Sequence, residues 1–354
     1  MSARHTFVSV VIVVALAAAG SLLASALSVA VLGPAPAQAA PVTVNASAAP
    51  AQAAPVTVIA SAAPARVASG EAASAEAAAA GEPDFSAYWH DGKAEIDGYR
   101  LTVNRYGEPR EGTAVAIYVT EPFSESKRVK VNDPAQDPKD TFDVLKLNLV
   151  RDFQTGIYDY NTMVSVFSRS GDFTPVKVTF TSAEWCGHVY EELLFGPGGI
   201  TGHYYSYFED ESGPRRLENA KNGVVEDNLF ILLRGLRGDF IGPGKTRKVK
   251  LLPSVYYGRL SHKPLEWEDA DISRRSGVEK VEVPAGKFDA IVYEIKTSSG
   301  RAGKFFVEKA YPHRILRWEM PPDVSGELTG STRLEYWKLN KKGDESYLKE
   351  IGLE

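Results

Sequence analysis

One cysteine, Cys186, is all that 354 residues contain, so no internal disulfide framework can hold this fold. There is little imbalance of charge: 40 Lys and Arg stand against 45 Asp and Glu, a formal net charge of −5. A surface built to hold nucleic acid or an anionic membrane is therefore not expected. Two catalytic signatures are missing as well. No G-x-S-x-G nucleophile elbow occurs. Ile241-Gly242-Pro243-Gly244-Lys245-Thr246 ends like a phosphate-binding loop, but Asp239 stands where the leading glycine belongs. No motif calls for a cofactor, and beyond residue 32 no apolar run is long enough to span a membrane.

Within the first 39 residues the pattern is different. Arg4 and His5 precede a stretch from Phe7 to Leu32 without a single charge. Such a run partitions into a bilayer, with the basic start held on the cytoplasmic side. Pro34 and Pro36 break any helix, and Ala37-Gln38-Ala39 offers the small residues of a cleavage site before Ala40. The run is longer than an ordinary signal core of roughly 7–15 residues. Residues 1–39 therefore read either as a cleaved signal or as a retained anchor, and contact with membrane is expected only through this segment if it is uncut. No cysteine stands beside it for lipid attachment, and no Arg pair marks a twin-arginine route. The domain is expected in the periplasm or otherwise exported, or leashed to the inner membrane and facing the periplasm.

A low-complexity tether is expected over 40–83. Residues 41–54, PVTVNASAAPAQAA, are nearly repeated as 55–68, PVTVIASAAPARVA. This Ala/Pro composition has no varied apolar side chains to pack, and the period is too short for a solenoid. Asn45-Ala46-Ser47 forms a glycosylation sequon there.

Residues 84–354 read as the globular part, as one domain or as two intimate halves, 84–240 and 241–354. Its dominant period is two. Thr113–Thr120, Val144–Val150, Ile157–Phe167, Val176–Thr181, Phe288–Thr297 and several similar runs carry β-branched and aromatic residues between Gly, Pro, Asn and Asp turns. This predicts a mainly β fold: antiparallel strands in a roll, barrel-like or sandwich arrangement. In Val283-Pro284-Ala285-Gly286 the proline and glycine suit positions i+1 and i+3 of a type I turn. One helical signal interrupts the strands. Leu229, Leu232, Leu233 and Leu236 fall on one helix face, so an amphipathic helix is expected over about 226–237, with Asp227 capping it. It would pack on a sheet or plug one end of a roll.

Glu184-Trp185-Cys186-Gly187-His188-Val189-Tyr190 concentrates the chemistry-bearing side chains. Read as a strand, it puts Glu184, Cys186, His188 and Tyr190 on one face and Trp185 in the core. A histidine beside a thiol favours the nucleophilic thiolate, so Cys186 and His188 are the candidates for catalysis. A bland reading stands beside it: a half-buried strand whose thiol is buried for packing. Glu184, Cys186 and His188 offer O, S and N donors, but i, i+2 spacing alone does not complete a metal site, and His203 or Glu209 would have to close it. No metal is assigned. The run Tyr204–Glu211 sets aromatics before acids, which suits a pocket mouth or merely a charged turn. Glu184, Trp185, Cys186, His188, Tyr207 and Glu209 form the candidate ligand-binding set.

The segments Glu184–His188, Ser206-Tyr207-Phe208-Glu209, Glu226-Asp227 and Val283–Ala290 resemble a family of exported bacterial β-rich proteins of unknown function, over about residues 88–340. Some of its members carry the automatic label septum formation inhibitor Maf. True Maf proteins are cytoplasmic α/β pyrophosphatases, and their activity is not implied for an exported β-rich chain. The resemblance implies that Trp185, Cys186, Gly187, His188 and Glu209 belong to a shared feature, and it supplies no catalytic residue. The expectation is a non-enzymatic envelope protein that binds a lipid, an envelope polymer or a protein partner. The alternatives are a hydrolase using Cys186 and His188, and a structural or assembly protein without a ligand.

Overall fold

The structure is a computed structural model that describes residues 84–320 and 324–353. The export segment (1–39) and the tether (40–83) expected from the sequence lie outside these residues.

Strands dominate. The first eight are β1 (Ala94–Arg105), β2 (Glu108–Ser124), β3 (Thr141–Thr155), β4 (Tyr158–Arg169), β5 (Pro175–Glu184), β6 (Gly187–Gly196), β7 (Gly199–Ser206) and β8 (Gly213–Leu217). The rest are β9 (Gly223–Val225), β10 (Thr246–Leu252), β11 (Glu268–Val283), β12 (Gly286–Thr297), β13 (Ala302–Glu308), β14 (Ile315–Met320) and β15 (Val324–Leu334). All fifteen form one sheet, in the order β8 down to β1 and then β15 down to β9. Every neighbouring pair is antiparallel except β9 with β10. The mainly β antiparallel fold is as the sequence predicts.

The ladder does not close into a barrel. Its edge strands β8 and β9 are nevertheless neighbours in sequence, with only residues 218–222 between them. Five residues cannot bridge two distant edges, so the sheet curls until its margins approach. Trp267 ties the margin further by donating from Nε1 to the Glu218 carbonyl at 2.9 Å.

The inward side chains follow the period-two pattern. On β5, Val176, Val178, Phe180, Ser182 and Glu184 are all buried while their alternates are not. The Val283–Gly286 turn joins β11 to β12 as expected.

Among the described residues three short α-helices accompany the sheet, α1 (Phe85–Trp89), α2 (Leu229–Leu232) and α3 (Val255–Ser261), and 3-10 turns at Tyr336–Lys338 and Asp344–Ile351 follow the last strand. The α2 segment touches strands far apart in the sheet. Phe230 meets Phe305 of β13 and Trp318 of β14 edge-on, and its carbonyl accepts from the Tyr118 hydroxyl of β2. It therefore fills the interior of the curled sheet.

The helix expected over 226–237 is shorter. A 3-10 turn at Glu226–Asn228 leads into a single α turn, and the chain then breaks at Gly235, which has φ +64°. Asp227 does not cap it. Its carboxylate accepts instead from Ser254 Oγ at 2.5 Å and from the Val255 amide at 3.0 Å, and so anchors the start of α3. The leucine spacing that suggested a long helix reflects burial from all sides, which a single turn satisfies equally well.

Three charges lie at the heart of this interior. Glu95 and Asp97 of β1 are fully buried, and Arg234 pairs with Glu95 at 2.7 Å. Arg234 also lies over the rings of Tyr118 (4.4 Å) and Trp89 (5.1 Å), and donates to the Pro312 carbonyl at 2.8 Å. Neither oxygen of Asp97 has a close hydrogen-bond partner. Burial first, and then the neighbouring Glu95, push its carboxyl up to about 7.

Candidate functional site

In a meander, alternate hairpin turns fall on the same end of the sheet. Four do so here. The turns are Tyr106-Gly107 between β1 and β2, Gly156-Ile157 between β3 and β4, Trp185-Cys186 between β5 and β6, and the Tyr207–Ser212 loop between β7 and β8. The first two suit the twist of their strands: Tyr106 and Gly107 both have positive φ, and Gly156 does so at the first turn position.

The candidate motif is one of these turns, and this corrects three expectations. Glu184 pairs with Gly187, so Trp185 and Cys186 are the two turn residues themselves. Trp185 is 69% exposed, not in the core, and Cys186 is exposed, not buried. The reversal also splits the presumed common face. Glu184 points inward, while His188 pairs with Ala183 on the outer face and is exposed. Among the described residues, neither the Cys186 thiol nor the His188 ring makes a hydrogen bond, and no group of three His, Cys, Asp or Glu side chains could hold a metal. Glu209 is an exposed residue of the fourth turn.

What the structure does bring together is the two motifs. Tyr207 lies with its ring against Gly187, where an added Cβ would sit 2.3 Å from Tyr207 Cγ. Its amide donates to the His188 carbonyl at 3.2 Å. Only a glycine at 187 leaves room for that ring.

Aromatic contacts run on across the other tips. Trp185 donates from Nε1 to Asp159 Oδ1 at 3.0 Å, and its ring lies 6.4 Å from that of Tyr158. The Tyr158 hydroxyl meets the Tyr106 hydroxyl at 3.1 Å, and Tyr106 meets Tyr160 at 2.9 Å. Arg105 sits over the Tyr106 ring at 4.5 Å. Tyr106, Tyr158 and Trp185 are thus linked across three neighbouring tips, and with Tyr207 on the fourth they make up an aromatic crown. Sequence reasoning missed Tyr106 and Tyr158. For Tyr106 the signal was available in a bulky residue beside Gly107, at a turn position where polar residues are usual.

Helix α3 supports the crown from inside. Arg259 forms a buried ion pair with Glu184 and lies over the Phe208 ring at 4.3 Å. His262 Nδ1 meets Glu211 Oε1 at 2.6 Å, and Ser206 donates to Glu211 at 2.7 Å. Burial raises Glu211, but these two hydrogen bonds together with the charges of His262 and Arg259 outweigh it and hold its carboxyl below the usual range. Arg105 reaches the Leu260 carbonyl at 3.4 Å. The tips are therefore fixed from below while their outer faces stay open.

A cavity of about 30 Å³ touches Arg151, Asp227, Ser254 and Tyr256, room for about one water molecule. Burial pushes Asp227 up to about 6 there. A groove of about 390 Å³ runs along the seam of the curled sheet by Phe195, Ile200 and Trp267. Its Arg128 and Arg169 are both paired with Glu125.

No family model matches the chain, and no curated relative does. Two solved structures share part of its course. One is a β-barrel-like protein of a domain of unknown function, DUF1849, from Brucella abortus: 10% identity, 68% of this chain, 98% of that one, TM-score 0.42. The other is a protein assigned to export, with a YmcC-like fold, from Bacteroides fragilis: 11% identity, 67% of this chain, 95% of that one, TM-score 0.19. At that degree of overlap neither carries an argument about function. Among the described residues no helix is long and apolar enough to cross a membrane.

Proposed function

We propose that this chain is an exported, non-enzymatic binding module of the cell envelope, and that the aromatic crown is its docking surface. One observation carries the reading. Tyr106, Ile157, Trp185 and Tyr207 are 59%, 80%, 69% and 65% exposed, and all four stand on turns at the same end of one sheet. Large apolar residues scattered singly over a surface need no explanation, whereas a gathered patch marks an interaction site. The uncharged run from Phe7 to Leu32 and the repeat after it support placement outside the cytoplasm, on a leash long enough to search for a partner. A Cys186–His188 hydrolase finds less support. The two side chains share no hydrogen bond, and a nucleophile on an exposed turn has no walls to exclude water.

The test is site-specific photo-crosslinking of the full chain in its exporting host. A photoreactive residue replaces Trp185 in one strain and Asp172, an exposed turn residue of the opposite end, in another. A discrete adduct is expected at 185 and none at 172. Absence of any adduct at 185, or equal labelling at both, overturns the reading.

A further inference from the structure

Apart from the crown, we infer that the cavity between β3 and α3 binds one small monovalent anion of halide size, held by Arg151. The state of that guanidinium carries the argument. Arg151 stands on the inner face of β3 with 3% of its surface exposed, and its side chain lies over the Tyr256 ring at 4.3 Å. Among the described residues its Nε and Nη1 have no hydrogen-bond partner and no carboxylate pairs with it. The hydroxyl of Thr162, its cross-strand neighbour on β4, is buried and also without a partner, so it does not accept from the guanidinium. A charge taken out of water in this way calls for a counter-ion.

The rest of the wall selects the same chemistry. Trp318 lines the cavity with an unbonded indole N–H. Arg301 lines it with an unbonded Nε, its other two nitrogens being given to Glu226 and Glu268. The nitrogens left open around the cavity are all donors, so the occupant must accept. A water molecule accepts, but it brings two protons of its own and no charge. An anion accepts from every side and supplies the charge that Arg151 lacks. The space, about 30 Å³, holds one ion not much larger than water. Phe230, Phe305 and Met320 make part of the wall apolar, which suits a weakly hydrated halide and penalises a divalent oxyanion.

Asp227 shares this wall and makes the site sensitive to acid. Its carboxylate is held by Ser254 and the Val255 amide of α3, with Glu226 beside it in sequence, Arg151 on β3, Tyr256 on α3, and Arg301 with its partner Glu268 around the same cavity. With Asp227 ionised, two guanidiniums face three carboxylates, and a further anion is opposed. With Asp227 protonated, an entering anion restores the charge that the proton removed. Burial favours the protonated form and pushes this carboxyl up to about 6. Proton and anion therefore enter together.

Thermal unfolding of the full chain is followed while chloride or bromide replaces gluconate, which is too large for the cavity, at constant ionic strength and at pH 5 and pH 7.5. A saturable rise in Tm is expected with either halide, with an affinity that falls by up to about tenfold for each pH unit above 6. Arg151→Met should fold, because an apolar side chain replaces a buried charge without a partner, and it should show no halide effect. Asp227→Asn should bind halide equally at both pH values. In wild-type crystals soaked in bromide, anomalous scattering should place an ion in contact with Arg151. Water alone at that position, a halide effect that persists in Arg151→Met, or a wild-type affinity that is the same at both pH values overturns the assignment. The bromide map needs no variant, so it decides even where Arg151→Met does not fold.

Discussion

Replacing Asp97 with asparagine should flatten the dependence of stability on pH between about 4 and 7. Asp97 is fully buried, neither oxygen has a close hydrogen-bond partner, and the adjacent Glu95 already takes the Arg234 ion pair. Burial and Glu95 raise its carboxyl from 3.8 to about 7, while Arg234, Ser331 opposite it on β15 and Arg314 offset part of the rise. The sign follows from which state binds the proton. Below 3.8 both folded and unfolded chains are protonated, and the contribution is fully present. As pH rises the unfolded chain ionises first while the folded chain keeps its proton, so stability falls until the folded carboxyl also ionises near 7. Each pH unit of that window is worth about 1.4 kcal/mol, giving a loss of about 4 kcal/mol across it. Asparagine has nearly the same shape and does not titrate, so the variant lacks this slope. Any fixed penalty for its buried amide cancels in the difference between two pH values. Asp227, raised by burial to about 6, slopes the same way and remains in both proteins. The assay is urea unfolding of wild type and Asp97→Asn, followed by tryptophan fluorescence at pH 4, 5, 6, 7 and 8. If the two stability profiles run parallel over that range, Asp97 does not sit unpaired in the interior and the reasoning is refuted.

Arg234→Met should destabilise the fold by about 3–5 kcal/mol at pH 8, because it leaves Glu95 and Asp97 buried beside one another without the guanidinium that pairs with Glu95; chemical denaturation measures it, and a loss under 1 kcal/mol would contradict the buried pairing. Gly187→Ala should expel Tyr207 from its seat, because the new Cβ would lie 2.3 Å from the ring. The defect should shrink when Tyr207→Ala is added, and a double-mutant cycle with no coupling would rule out the contact. Cys186 should react completely with a maleimide in the native protein, because it sits exposed on a turn; labelling only after denaturant is added would return it to the core.

The strands were readable because this sheet has one buried face. Alternation on β5, from Val176 through Phe180, is set by that burial and appears in the sequence whatever the strand order. The order itself was not readable, because the pairing of β1 with β15 joins the two ends of the domain and leaves no local signal. The functional motif misled for a specific reason. A two-residue turn keeps the rhythm of a strand, so Glu184 to Tyr190 reads as one continuous strand unless the reversal is seen, and no Asn-Gly or Asp-Gly marks it. The set Trp185, Tyr207 and Glu209 was visible as composition. Tyr106 and Tyr158 join them only through neighbouring tips, which the sheet order supplies. The buried Glu95–Arg234 pair was hidden likewise, since it links β1 to the segment after α2. Asp227 was expected to cap its own helix; it accepts instead from the Val255 amide at the start of α3, 28 residues later, a partner that no local pattern shows.

The place of β1 and β15 at the middle of the sheet has a consequence for how the protein is made. A chain that emerges N-terminus first can lay down β1 through β8 as successive hairpins, yet the free side of β1 waits for the last strand to arrive. Tyr99, whose hydroxyl donates to the Ile315 carbonyl 216 positions later, waits with it. That late, long-range pairing is a slow step by its topology, and throughout the delay a twelve-residue strand has an unpaired edge. Assembly of this domain is therefore completed from its centre, and a holdase would find its target at β1.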